Sequence, residues 1–208
     1  MALVNVVQGD MHVAGALTCG TPPQIARSQL LQSNNDRYKI KPTDWRIFDA
    51  FQTPLGATPT SDDDLALVGG TFGSASPAIQ AGDVKAVSKT RRARCTFELP
   101  AEYVAGESVT IRAHAGMVTT VADGSCTVDF EVYRSDDEAG VGSDICATAA
   151  QSMNSLTDAN KDFTITPTTL LPGDTLDIRM TIASVDSATV TAVIPSIGSV
   201  ELLLDVKG

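Results

Sequence analysis

From Arg91 onward the chain is divided into short segments of alternating apolar and polar residues, separated by turn residues, and this pattern limits the fold more than any other feature. It predicts strands over Arg94 to Leu99, Ser108 to His114, Cys126 to Arg134, Asp162 to Thr166, Thr175 to Ser184, Ala188 to Ile194 and Ser199 to Val206. Alternation is clearest from Thr127 to Tyr133, where Val128, Phe130 and Val132 point one way and the intervening residues the other. The segment Leu176 to Ile182 repeats the pattern, whereas Val200 to Val206 is more continuously apolar and predicts a strand covered on both faces. Strands of this length and spacing predict an all-β chain, an antiparallel β-sandwich or jelly roll.

An internal echo supports two equivalent corners. Gly106-Glu107-Ser108-Val109-Thr110-Ile111-Arg112 returns as Gly173-Asp174-Thr175-Leu176-Asp177-Ile178-Arg179, and each copy follows a Leu-Pro pair, Leu99-Pro100 or Leu171-Pro172. Both copies read as a turn leading into a strand.

The N-terminal part reads differently. Breaks at Thr21-Pro22-Pro23, Lys41-Pro42, Thr53-Pro54-Leu55-Gly56, Thr58-Pro59-Thr60 and Gly69-Gly70 leave room only for short elements. One is a brief helix, capped by Thr21, with Pro22 at its first position and Gln24 completing a capping box before Ile25, Leu30 and Leu31. Residues 1–64 are therefore expected to form an irregular arm for docking or oligomerisation, and residues 65–208 the sandwich. Within the arm, Trp45, Phe48 and Phe51 are three of the chain's ten aromatic residues, and their spacing fits either a strand or a helical turn. Rings of this size are buried either on their own domain or on a neighbouring chain.

With 43% apolar and 19% charged residues, the chain has enough apolar side chains for a core. Its net charge of −10 is uneven, from +2 over residues 1–95 (ten basic, eight acidic) to −12 over residues 96–208 (five basic, seventeen acidic). So acidic a body repels nucleic acid and anionic membranes, and neither is expected as a partner. No run of eighteen apolar residues and no signal-peptide pattern is visible, which predicts a soluble protein made in a cytoplasm. Cys19, Cys95, Cys126 and Cys146 are too sparse for a disulfide scaffold and are expected as free thiols acting as small apolar residues.

The sequence offers little to a catalytic reading. Its two histidines, His12 and His114, are a hundred residues apart, too few for a metal site on a jelly roll. A Gly-x-Ser-x-Gly elbow, a third glycine after Gly140-Val141-Gly142 and a Gly-Lys-Ser/Thr cradle are all lacking. The acidic runs Asp62-Asp63-Asp64 and Asp136-Asp137-Glu138 have no twelve-residue calcium loop around them and read as solvated turns. No enzyme activity, metal or cofactor is expected. The concentrated positive charge, Lys89 to Arg94, lacks interleaved aromatics, so Arg91, Arg92 and Arg94 are candidate contacts to a protein partner, together with Trp45, Phe48 and Phe51. A plain charged edge strand is the alternative reading of the same run.

The strand region resembles β-sandwich proteins of tailed-bacteriophage virions, closest to capsid decoration, or cement, proteins. The similar wording is Phe97 to Gly106, Leu171 to Arg179 and the closing run Ser199 to Lys207, and the resemblance covers roughly residues 65–208. It implies a jelly-roll-like sandwich, commonly a homotrimer, bound to the major capsid protein outside an icosahedral head and stabilising contacts between capsomers. A virion protein assembled in the bacterial cytoplasm is what it leads one to expect. The alternative function is a glycan-binding tail or fibre module. Glycan sites present exposed aromatics among polar neighbours, and the aromatic cluster from Trp45 to Phe51 lies outside the expected strands.

Overall fold

The structure, a computed structural model, describes residues 31–59, 61–135 and 142–207. It is organised around β10 (Thr175–Val185), which buries Leu176, Ile178, Met180 and Ile182 on one face. This strand pairs antiparallel along its whole length with β5 (Ser88–Glu98) on one side and β7 (Ser125–Ser135) on the other. Met180 lies between Ala93 and Phe130, and Ile178 between Cys95 and Val132, so three strands contribute inward side chains at the same level. The short strands β2 (Arg46–Ile47) and β8 (Gln151–Ser152) complete a five-stranded sheet in the order β2-β5-β10-β7-β8.

The opposing sheet is centred on β11 (Pro195–Lys207), the apolar closing run, with β6 (Val109–Met117) and then β9 (Ala159–Ile165) on one side. On its other side β11 pairs with the hairpin of β3 (Ala66–Val68) and β4 (Ala78–Gln80) at Ser196 and Ile197. It pairs with β1 (Leu31–Ile40) from Val200 to Lys207. Inward residues of the two sheets meet in a single core. Its centre is aromatic: Phe130 of β7 meets Phe163 of β9 edge-on, with ring centroids 4.9 Å apart, and Trp45 lies 6.4 Å from Phe130. Each such ring buried contributes about 1.5–3 kcal/mol of apolar transfer free energy.

The echo in the sequence corresponds to two crossovers. Gly106 and Gly173 adopt φ of +79° and +85°, a region that glycine enters without steric cost, and they lead into β6 of one sheet and β10 of the other. At the first corner Tyr103 is fully buried and its hydroxyl donates to the carbonyl oxygen of Glu107 at 2.6 Å. Burial pushes that hydroxyl's pKa up to about 12. Cys95, Cys126 and Cys146 are free thiols. Burial raises Cys95 well above its ordinary value and Cys126 to about 11, as suits inert packing residues.

The all-β architecture agrees with the sequence, and three details differ. The expected strand from Ala188 to Ile194 is a connection. The Val193 amide donates to Asp83 Oδ1, the Val193 carbonyl accepts from the Val84 amide, and the Ala192 carbonyl accepts from Thr119 Oγ1. These groups are satisfied by loops, so no ladder forms. Second, β1 and β2 fall within the segment expected as an arm, yet both are hydrogen-bonded into the sheets, and Ile40, Trp45 and Ile47 join the core. Residues 31–59 therefore belong to the sandwich, because their few apolar side chains complete its core. Third, strand bounds shift: those predicted to start at Arg94, Asp162 and Ser199 begin at Ser88, Ala159 and Pro195, and those predicted to end at His114 and Ser184 run to Met117 and Val185. The helix expected after Thr21 lies outside the described residues.

Phe130→Ala and Trp45→Ala are expected to cost about 3–5 kcal/mol each in urea or guanidinium unfolding. Phe51→Ala, at a half-exposed surface ring, is expected to stay within about 0.5 kcal/mol of the parent in the same measurement.

Candidate functional site

Alternation that buries one set of residues in the five-stranded sheet displays the other set outward. Register places these in rows. Arg46, Arg94, Arg179 and Glu131 lie side by side across β2, β5, β10 and β7. Thr96, Asp177 and Tyr133 form the next row, and Arg92, Thr181 and Asp129 the row on the other side. The face is thus rich in side chains that donate or accept several hydrogen bonds.

The loop after β2 adds aromatic surface. The Ile47 amide donates to the Thr53 carbonyl at 3.0 Å and the Thr53 amide to the Ala50 carbonyl at 2.7 Å, closing residues 47–53 into a compact turn. A further bridge joins Arg46 to Pro54. Held this way, the Phe51 ring lies under the Arg94 guanidinium at 4.9 Å, and the Phe48 ring is approached by Arg92 at 5.5 Å and Arg179 at 5.4 Å. Beside the Phe48 ring is an open depression of about 330 Å³, lined by Phe48, Asp49, Arg94, Tyr133, Asp177 and Arg179.

Ion pairs fix two of the arginines. Arg94 clamps Asp177 bidentately, with Nε donating to Oδ1 at 2.6 Å and Nη2 to Oδ2, and this contact raises the guanidinium pKa further. Arg179 pairs with Glu131. Asp129 is pushed up, first by burial and then by Asp144 nearby.

Of the six residues picked out from sequence, the structure brings Phe48, Phe51, Arg92 and Arg94 together on this face. Trp45 and Arg91 are elsewhere. Trp45 is 1% exposed in the core, because β2 turns it inward toward Phe130. Arg91 points to the inner side of β5 and is buried against the segment before β3, with Nε donating to the Asp62 carbonyl at 3.2 Å. Sequence reasoning missed Tyr133, Asp177 and Arg179. The signal for them was present, since all three are outward positions of alternating strands, but the strand order that makes them neighbours is not written in any one segment.

The other outward surface is different in kind. Across β1, β11, β6 and β9 it carries Lys39, Glu201, Arg112 and Asp162 in one row, with Arg112 closed onto Asp162 at 2.6–2.7 Å and Arg37 on Glu201 at 3.8 Å. His114 is here too, its Nδ1 3.0 Å from Asn160 Oδ1 and with no carboxylate cluster around it. Among the described residues no group of His, Cys, Asp or Glu side chains is arranged to hold a metal, and no helix is long and apolar enough to cross a membrane. The Asp62–Asp64 run diverges: Asp62 takes Lys89 at 2.6 Å, while buried Asp64 turns back to accept from Ser61.

No family model matches the chain, and no curated protein matches its sequence. Among solved structures it is similar to the xylan-binding CBM22-1 domain of a Paenibacillus barcinonensis protein, at 14% identity over 70% of this chain and 83% of that one, with a TM-score of 0.37. It is also similar to the xylan-binding module CBM15, at 12% identity over 84% of this chain and 99% of that one, TM-score 0.40. A chain of infectious bursal disease virus matches at 13% identity over 73% of this chain and 41% of that one, TM-score 0.31. Similarities at this level carry no functional argument.

A double-mutant cycle on Arg94→Ala and Asp177→Ala, read by denaturant unfolding, is expected to show about 0.5–1 kcal/mol of coupling, a modest value because Arg94 is partly solvated. The coupling should shrink in 1 M salt.

Proposed function

We propose that the chain is a non-catalytic β-sandwich module that binds a carbohydrate on the outward face of its five-stranded sheet. One observation carries this reading: the loop after β2 brings Phe48 and Phe51 onto the face that holds Tyr133, Arg94, Asp177 and Arg179. Aromatic rings offer a flat apolar surface to the C–H face of a sugar, and fixed arginine and carboxylate groups hydrogen-bond its hydroxyls. The Arg94–Asp177 clamp sets donors and acceptors before the ligand arrives, which lowers the ordering cost of binding. Absence of the aromatic cluster from the strands was the sequence argument against a glycan module. Pairing of β2 with β5 removes that objection.

A glycan array followed by calorimetry on the best ligand tests this. Tyr133→Ala and Phe51→Ala are each expected to weaken binding by about tenfold or more while leaving the unfolding midpoint unchanged. No binding across the array, or binding indifferent to both substitutions, would overturn the proposal.

A second reading, a decoration protein on a phage head, draws support from one end of the sandwich. Val118, Val121, Leu156 and Val190 are exposed on the loops there, and Val185 at the end of β10. Those loops are tied to one another: Asn154 bonds both backbone groups of Ala122, the Asp123 amide donates to Asp186, and the Gly124 amide to the Val185 carbonyl. A fixed apolar end suits docking onto a protein shell, with self-association as a trimer. Co-sedimentation with phage heads stripped of accessory proteins, lost on Val190→Asp, is the outcome this reading expects. A monomer that stays in the supernatant argues against it.

A further inference from the structure

The arginines of the outward face are not equivalent. Arg94 is neutralised by Asp177 and Arg179 by Glu131, whereas Arg46 and Arg92 have no carboxylate within ion-pair distance among the described residues, and Arg92 is the one that stands over Phe48. The carboxylate in its own row, Asp129, is two strands away, about 9–10 Å at the backbone. Asp177 and Glu131 are already engaged, and Asp49 lines the depression from the loop side.

Arg92 is nonetheless held close to a second cation. Its guanidinium and that of Arg179 both approach the ring of Phe48, at 5.5 and 5.4 Å. Burial, and then the charge of Arg92, lower the pKa of Arg179, as expected when like charges are held together. Two guanidiniums beside one ring, one of them lacking a counter-charge, form a receptor for an oxyanion.

Neither of the ordinary reasons for an exposed arginine applies. Guarding a free sheet edge is excluded, because the Arg92 backbone is flanked on both sides and its amide and carbonyl are both hydrogen-bonded. On one side β10 pairs with it. On the other the Arg92 amide donates to the Asp63 carbonyl at 2.6 Å and the Leu65 amide to the Arg92 carbonyl at 2.9 Å. Solubility does not call for it either, since a chain of net charge −10 keeps its surface charged without an unpaired cation here.

We propose that the saccharide bound on this face is acidic, its carboxylate or sulfate group held between Arg92 and Arg179 with the sugar ring against Phe48. The inference rests on the glycan reading of the same face and adds the chemical class of the ligand. An anion at that position supplies the charge Arg92 lacks and relieves its repulsion with Arg179. A neutral sugar does only part of this.

Calorimetry on the full chain should compare three probes of matched length: an oligouronate, the same backbone as its methyl ester, and a sulfated neutral oligosaccharide. Preference for the oligouronate over its ester, weakening as salt rises, is expected, with Arg92→Gln lowering affinity about tenfold or more. Arg112→Gln on the opposite sheet, whose arginine is already paired with Asp162, should leave binding unchanged. Equal binding of the sulfated probe would assign the site to oxyanions in general; preference for one acid would name which. Binding of the ester as tight as of the acid, or anion binding that survives Arg92→Gln, overturns the inference and leaves the glycan reading standing. No binding of any glycan overturns both.

Discussion

The full-length pairing of β10 with β5 and β7 is the constraint from which the rest of the structure follows. A strand matched on both sides over its whole length has one register, and a slip of one residue would exchange every inward side chain with an outward one. Such a slip would bury Asp177 and Arg179 and expose Ile178 and Met180, at a cost of several kcal/mol for each ion left unpaired in the core. Apolar burial on one face therefore fixes the positions of the polar groups on the other. The Arg94–Asp177 clamp and the approach of Arg179 to Glu131 are consequences of packing between the sheets.

The two sheets solve the same problem of an outer surface in different ways. On the β11 side Arg112 closes on Asp162 and Arg37 on Glu201, with no aromatic ring at the outward positions of β1, β11, β6 and β9. Glu201 is nearly buried there. A surface whose groups satisfy each other has little to offer a ligand. On the β10 side Arg94 and Arg179 also close on carboxylates, but Arg92 is left without one among the described residues, and the guanidiniums lie against the rings of Phe48 and Phe51. The two outer faces thus differ chiefly in the aromatic rings and the unpaired Arg92 that the β10 side carries.

How much of this could be read from the sequence depends on how local each feature is. Strands β7, β10 and β11 were legible because their alternation or continuous apolarity is contained within a dozen residues, and the echoed Leu-Pro…Gly corners were legible for the same reason. β1 was not, because of its described side chains only Tyr38 and Ile40 face inward, Tyr38 against Phe97 with ring centroids 6.2 Å apart, while Arg37 and Lys39 lie outward. A strand whose inward positions are so few carries no period to detect. Conversely, Ala188 to Ile194 has the composition of a strand, but its backbone groups are used by neighbouring loops, a competition no local pattern reports.

The candidate site divides along the same line. Phe48, Phe51, Arg92 and Arg94 could be singled out because aromatics and arginines are each concentrated in a short run, yet neither run shows that the two meet. Trp45 and Arg91, drawn from the same runs, lie one pleat or one turn out of phase and are buried instead. What joins the runs is the two-residue ladder between β2 and β5, Arg46 with Arg94 and Ile47 with Ala93. Its position is set by Trp45 and Ile47 entering the core beside Phe130. A surface site on this chain is thus specified from inside: the side chain that contributes most to burying the N-terminal segment is also the one that carries the aromatic loop onto the face it serves.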